Sequence, residues 1–110
     1  MANKQSYLGE FEHLVLLSIA SLKDQAYGVT VRQYLRDKIE RDVSIGALYA
    51  TTERLENKGF ICTHKSGATA ERGGKAKRYM CITGLGQTAL LETKARLESM
   101  WQNVSLNRSN

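Results

Sequence analysis

The chain reads as a mainly α-helical domain carrying one small β-hairpin. Three observations predict this. Apolar residues recur at helical spacing in three successive segments before residue 60; two short strand-like stretches then bracket a glycine-tipped loop; and a last apolar stripe runs through residues 84–104. Two helices joined by a short turn, followed by a hairpin, give the order of a winged helix-turn-helix, here with a C-terminal helix appended. The expected organisation is one compact unit. Residues 1–83 form the winged helix-turn-helix, 84–104 a dimerisation helix packed with helix 1, and 105–110 a frayed tail.

Residues 9–22 form the first predicted helix, with Leu8, Phe11, Val15, Ile19 and Leu22 at helical spacing. Leu14, Leu16 and Leu17 make it apolar on a second side, so it needs a second partner, for which another subunit is the natural candidate. Lys23-Asp24-Gln25 is a turn. A second helix covers about 27–39, with Val29, Val31, Leu35 and Ile39 inward and Arg32, Arg36 and Lys38 outward. Ser44 is a good N-cap for a third helix ending near Lys58, where Gly59 occupies the C-terminal cap position. Residues 60–65 and 77–82 read as strands around a loop at 66–76, and Thr83 caps the last helix. Its Leu85, Ala89, Leu90, Leu97, Met100, Trp101 and Val104 make an apolar stripe. No internal repeat or low-complexity segment is present.

A length of 110 residues bounds the chain to one domain with a thin core, which often shares apolar surface with a partner. The net charge of +5 favours a polyanionic partner. Met1–Ser6 is polar and Leu14–Ala20 is too short to span a bilayer, so neither a signal peptide nor a membrane partner is expected, and the expected place is the cytoplasm.

The third helix sets the chemistry. At 100° per residue, Ile45, Leu48, Thr52 and Leu55 share an inward face. The opposite face carries Gly46, Ala50, Arg54 and Asn57, with Ala47 and Glu53 at its margins. Its front half is nearly bare of side chain, which lets a backbone sink into a groove. Ser44, Tyr49 and Thr51 flank it as donors for phosphates or base edges. The helix N-terminus favours phosphate. The stretch Glu71-Arg72-Gly73-Gly74-Lys75-Ala76-Lys77-Arg78-Tyr79 follows, with four cations among nine residues and glycines that let main chain approach closely. Arg72, Gly73, Lys75, Lys77 and Arg78 are therefore expected to straddle phosphates of double-stranded DNA beside the third helix. Tyr27 and Arg32 are weaker phosphate candidates. Each feature has a plainer reading: an ordinary surface helix, and a solvated charge run. Their succession favours the DNA reading.

Leu8-Gly9-Glu10-Phe11-Glu12, Ala26-Tyr27-Gly28-Val29, Ser44-Ile45-Gly46-Ala47-Leu48-Tyr49-Ala50-Thr51, Arg54-Leu55-Glu56-Asn57-Lys58-Gly59 and the Arg72–Tyr79 stretch resemble the PadR family of bacterial transcriptional regulators. The resemblance spans about residues 8–90 and its short, single C-terminal-helix branch. It implies a homodimeric winged-helix protein, usually a repressor, on a palindromic operator, with the first and last helices forming the dimer interface. It also implies a possible hydrophobic or aromatic small-molecule effector. Leu8, Phe11, Val15, Leu90, Leu97, Met100, Trp101 and Val104 are the expected interface residues. Thr52 departs from the family, which often has a larger apolar residue there, as do Met80 and Cys81 after Tyr79.

Met100 and Trp101 could line a ligand cavity across a dimer axis, although aromatics on a helical stripe are usually packing. A hairpin centred between Glu71 and Arg72 sets Cys62 opposite Cys81, a pair suited to oxidation or, with His64, to a soft metal. A one-residue register slip would destroy that geometry, and cytosolic thiols are expected to stay reduced and inert. No metal site or cofactor is expected. His13, among apolar residues, reads as a boundary residue. No nucleophile–base–orienter set or phosphate loop is visible, so the chain is not expected to be an enzyme. Winged helices also serve as protein-interaction modules, a reading the wing cations disfavour.

Overall fold

The computed structural model describes residues 7–65 and 77–107. Four helices and a two-stranded antiparallel sheet follow the predicted order: α1 (Glu10–Leu22), a 3-10 turn (Lys23–Gln25), α2 (Gly28–Ile39), α3 (Ile45–Asn57), β1 (Ile61–Lys65), β2 (Arg78–Ile82) and α4 (Gly84–Trp101). Each boundary has a local cause. At α1, the Glu12 carboxylate accepts from the Gly9 amide at 2.9 Å. At α2, Thr30 Oγ1 accepts from the Tyr27 amide and donates to the Gln25 carbonyl. Ser44 Oγ caps α3 by accepting from the Ala47 amide at 3.1 Å. Gly59, at φ +82°, ends α3 as expected of a residue without a Cβ, and the Phe60 amide then donates back to the Leu55 carbonyl.

The core is small and assembled from every element. Val15, Leu16 and Ile19 of α1, Val31 and Leu35 of α2, and Leu48 and Leu55 of α3 are nearly sealed from solvent. Phe60, Ile61 and Met80 close it from the hairpin side, and Ala89 from α4. A backbone bond ties the hairpin to the segment before α2: the Met80 amide donates to the Ala26 carbonyl at 2.8 Å.

Several inward assignments change. Val29 and Ile39 are about half exposed, so α2 buries only Val31 and Leu35. On α3 the buried positions are Leu48, Thr51 and Leu55, rotated from the predicted face. Ile45 is exposed and Thr52 lies at the domain edge, where its hydroxyl donates to the Tyr49 carbonyl. A small residue at position 52 therefore leaves no hole in the core. Val15 is fully buried within its own domain and is withdrawn from the expected dimer interface. α4 ends at Trp101, so Val104 lies beyond the helix, its amide still donating to the Trp101 carbonyl.

The hairpin register is Ile61↔Ile82, Cys62↔Cys81, Thr63↔Met80, His64↔Tyr79 and Lys65↔Arg78. Cys62 and Cys81 stand opposite each other, as predicted, with Cα atoms 5.4 Å apart. They are joined as a disulfide, where reduced thiols were the expectation. Among the described residues no group of three or more His, Cys, Asp and Glu is placed to hold a metal ion, and no helix is long and apolar enough to cross a membrane.

Candidate nucleic-acid interface

α3 lies with one side in the core and the other in solvent. Gly46, Ala47, Tyr49, Ala50 and Glu53 are all exposed along it. The space beyond Gly46 is open, a Cβ there meeting no atom within 4 Å. The thin front half is thus real, and a partner could approach the α3 backbone closely. Tyr49 is 56% exposed and leans toward the N-terminus of α2, where its hydroxyl would be 3.4 Å from a Cβ on Gly28. Beside it, an open groove of about 820 Å³ runs between α3 and the hairpin. Tyr49, Glu53 and Glu56 line its α3 wall, Lys77 and Arg78 its hairpin wall, and Tyr27 and Val29 its end.

The hairpin wall is cationic. Lys77 Nζ donates to the Tyr27 hydroxyl at 3.3 Å and sits 4.6 Å from the centre of the Tyr27 ring. That hydrogen bond, with the nearby Tyr27 and Tyr79 phenols, raises the Lys77 pKa above the ordinary 10.5, so the ammonium stays charged at any relevant pH. Tyr27 also packs edge-on against Tyr79, with ring centres 5.2 Å apart. Lys65 and Arg78 face each other directly across the strands. Like charges in that position oppose pairing and gain most from an anion bound between them. Lys65 was absent from the predicted set; the signal for it was the hairpin register, which sets it opposite Arg78.

Three predicted contacts are already committed within the chain. Thr51 is 1% exposed, so it cannot reach phosphates or base edges; it accepts instead from Arg54 Nη2. Arg54 turns toward α1 and pairs with Glu12, Nε to Oε2 at 3.3 Å. Arg32 Nε donates to the Val43 carbonyl, bracing the connection into α3. Sequence periodicity missed Thr51 because a rotation of α3 by one residue exchanges it for Thr52 on the buried face, while Arg54 and Arg32 find partners outside their own helices. Arg72, Gly73 and Lys75 lie outside the described residues.

Glu12 organises the α1–α3 joint. It is 7% exposed and accepts from Gly9, Lys58 and Arg54. Burial pushes its carboxyl pKa up, but these donors outweigh burial and hold it below the ordinary 4.5. A depressed folded-state pKa stabilises above the unfolded value, and that stability is lost as pH falls through the folded one. Glu12→Gln should therefore flatten the acid side of the stability profile below about pH 4.5. At neutral pH it should cost about 1–2 kcal/mol, less than a fully buried pair because the Arg54 and Lys58 side chains are 54% and 27% exposed. Urea unfolding at neutral and acid pH checks both. Burial likewise lowers the pKa of half-buried His13, favouring its neutral form.

The groove, the bare front of α3 and the cationic hairpin wall are those of a winged helix-turn-helix. Residues 16–92, well over half the chain, match the transcriptional regulator PadR-like family. The chain belongs to that family. PadR-like proteins are transcription regulators rather than enzymes, and membership implies DNA binding. Solved structures share the fold. A PadR-like transcription factor from Bacteroides fragilis superposes with a TM-score of 0.73 at 24% identity, covering 82% of each chain. A PadR family regulator from Clostridium difficile gives 0.67 at 24% identity, over 82% of this chain and 90% of that one. One from Eggerthella lenta gives 0.66 at 25% identity, over 83% and 79%. No curated protein sequence matches the chain significantly.

Proposed function

We propose that this PadR-like chain is a homodimeric repressor that reads a palindromic operator, with α3 in the major groove and the hairpin on the flanking phosphates. The observation that carries this reading is the exposed, thin face of α3 set beside a wall of Lys77 and Arg78, with Lys65 paired opposite Arg78. Lys77 and Arg78 supply affinity and register, while base choice falls to the outward residues of α3 between Ser44 and Asn57. Such a protein works where the DNA is, inside the cell.

The dimer is argued from α4. Gly86, Ala89 and Thr93 pack against the domain, but the same stripe continues into Leu97, Met100 and Trp101, which are 48%, 74% and 60% exposed. Val104 extends it past the helix end at 45%. An apolar stripe that outruns its own domain is suited to a second copy. Leu17 of α1 is also exposed, with Leu8 and Leu14 half-buried beside it. Phe11 is half-covered by the Arg41 guanidinium at 5.2 Å, and Leu90 is half-buried, so both contribute edges rather than the centre. Once two copies meet, Met100 and Trp101 would offer a wall to a flat aromatic effector. Saturable quenching of Trp101 fluorescence by planar aromatics reads this directly; its absence would remove the effector.

Fluorescence anisotropy on the DNA upstream of the gene, against random duplex at physiological salt, tests the whole reading. Equal affinity for both would overturn it. Replacing Lys77 and Arg78 with Ala should weaken binding to every sequence and reduce the salt slope by about 2, near 0.9 per lost phosphate contact. An unchanged slope would take the hairpin wall out of the interface.

A further inference from the structure

We infer that Glu53 is a base-reading residue, accepting a hydrogen bond from the exocyclic amine of a cytosine in each half of the operator. The inference rests on the DNA-binding reading above and deepens it. Glu53 lies two residues from both Thr51 and Leu55 and five from Leu48, the buried positions of α3. At 100° per residue it sits within about 40° of the point opposite each of them. It therefore occupies the centre of the outward face, not its margin. Gly46 and Ala50, on the same outward strip toward the N-terminus, are both exposed and carry almost no side chain. Glu53 is thus the first charged side chain that a duplex seated on the front of α3 meets, Tyr49 before it leaning toward the N-terminus of α2.

Its neighbours are occupied elsewhere. Glu56 accepts from the Thr63 hydroxyl at 3.0 Å, Arg54 is held by Glu12 and Thr51, and Lys58 is held by Glu12. Among the described residues no hydrogen bond or ion pair engages Glu53. Among the described residues the cations lining the groove are Lys77 and Arg78 on the far wall, where phosphate is expected.

Chemistry then narrows the partner. A carboxylate repels phosphate, so its favourable contact in a major groove is a base-edge donor. Cytosine offers the N4 amine, and adenine the N6 amine. Adenine N6 lies beside the N7 acceptor, which a carboxylate oxygen approaching the pair would meet with repulsion. Cytosine carries no acceptor at that edge of its own ring. A carboxamide has the opposite preference, because its amide donates to N7 while its carbonyl accepts from N6.

The test is selection from a pool of randomised duplexes by wild type, Glu53→Gln and Glu53→Ala, followed by anisotropy on single-base variants of the selected site. Wild type should select cytosine at one position in each half-site, preferring it by roughly 5- to 150-fold. Glu53→Gln should move the preference at that position to adenine, and Glu53→Ala should abolish it, with the other positions unchanged. If both variants keep every wild-type base while binding all duplexes more tightly, Glu53 is only a repulsive charge; the inference then fails and the DNA-binding reading stands. If wild type selects no motif, both fail together.

Discussion

Replacing Leu97 and Trp101 together with Glu is expected to convert the proposed dimer into a folded monomer. Both side chains belong to the part of α4 that extends past its own domain, and both are about half exposed or more in the single chain. Their loss therefore removes little from the monomer core, and helical circular dichroism should be retained. In a dimer they would be sealed, and two carboxylates on each copy would face apolar surface without partners. Self-association should weaken by at least on the order of 100-fold, the size expected when anchor residues near an interface centre are lost. Operator affinity should fall with it, because two tethered half-site contacts gain on the order of 100-fold or more over one. Light scattering gives the mass and anisotropy the affinity. A double variant that keeps the wild-type mass would place the seam elsewhere.

A second large effect is expected at Gly86, in the first turn of α4. A Cβ there would overlap the Phe60 carbonyl and lie 2.8 Å from Ile82 Cγ1. The helix cannot simply move away. Thr83 Oγ1 donates to the Gly59 carbonyl at 2.6 Å and accepts from the Gly86 amide at 3.0 Å, and the Thr83 amide donates to the Phe60 carbonyl itself. Gly86→Ala should cost about 3 kcal/mol, the upper part of the usual range for overpacking, and Gly86→Val more. The gain of about 1 kcal/mol in helix propensity for Ala over Gly does not offset this. Gly84→Ala is the internal control, since a Cβ at Gly84 meets nothing within 4 Å. Its effect should be a few tenths of a kcal/mol in either direction. Urea midpoints for the two variants decide the matter, and equal midpoints would mean that α4 is not packed this way.

Gly86 also shows what kind of information a sequence withholds. Nothing in Gly84-Leu85-Gly86-Gln87 marks one glycine as contact-critical and the other as free. The difference arises from where the Phe60 carbonyl lies, 26 positions earlier in the chain. The same holds for Glu12. As a sequence position it is one more acid in the first turn of a helix, yet it gathers Gly9, Arg54 and Lys58 around one carboxylate.

Much of the frame around the candidate site was legible beforehand. Ser44 as N-cap, Gly59 as C-terminal cap and the Cys62–Cys81 register all follow from local rules, and each is found where those rules put it. The thin face of α3 was legible for the same reason: Gly46 and Ala50 are small wherever the helix is turned. Thr51, Arg54 and Arg32 were not: packing sets the turn of α3 that buries Thr51, and the partners of Arg54 and Arg32, Glu12 and Val43, come from outside their own helices.

The sequence by itself determined the order of elements, the caps that bound α3, the cationic character of the hairpin and the family. These depend on spacing, capping chemistry and charge, which act over a few residues and need no partner. Only the tertiary structure decided the rotation of α3. It turned Thr51 inward, Arg54 toward α1 and Glu53 to the centre of the outward face. The physical reason is that an amphipathic pattern fixes a helix face only to within about one residue's 100° step. The final choice belongs to the packing of Leu48 and Leu55 on α1 and to the buried Glu12 carboxylate that draws Arg54 and Lys58 to its side.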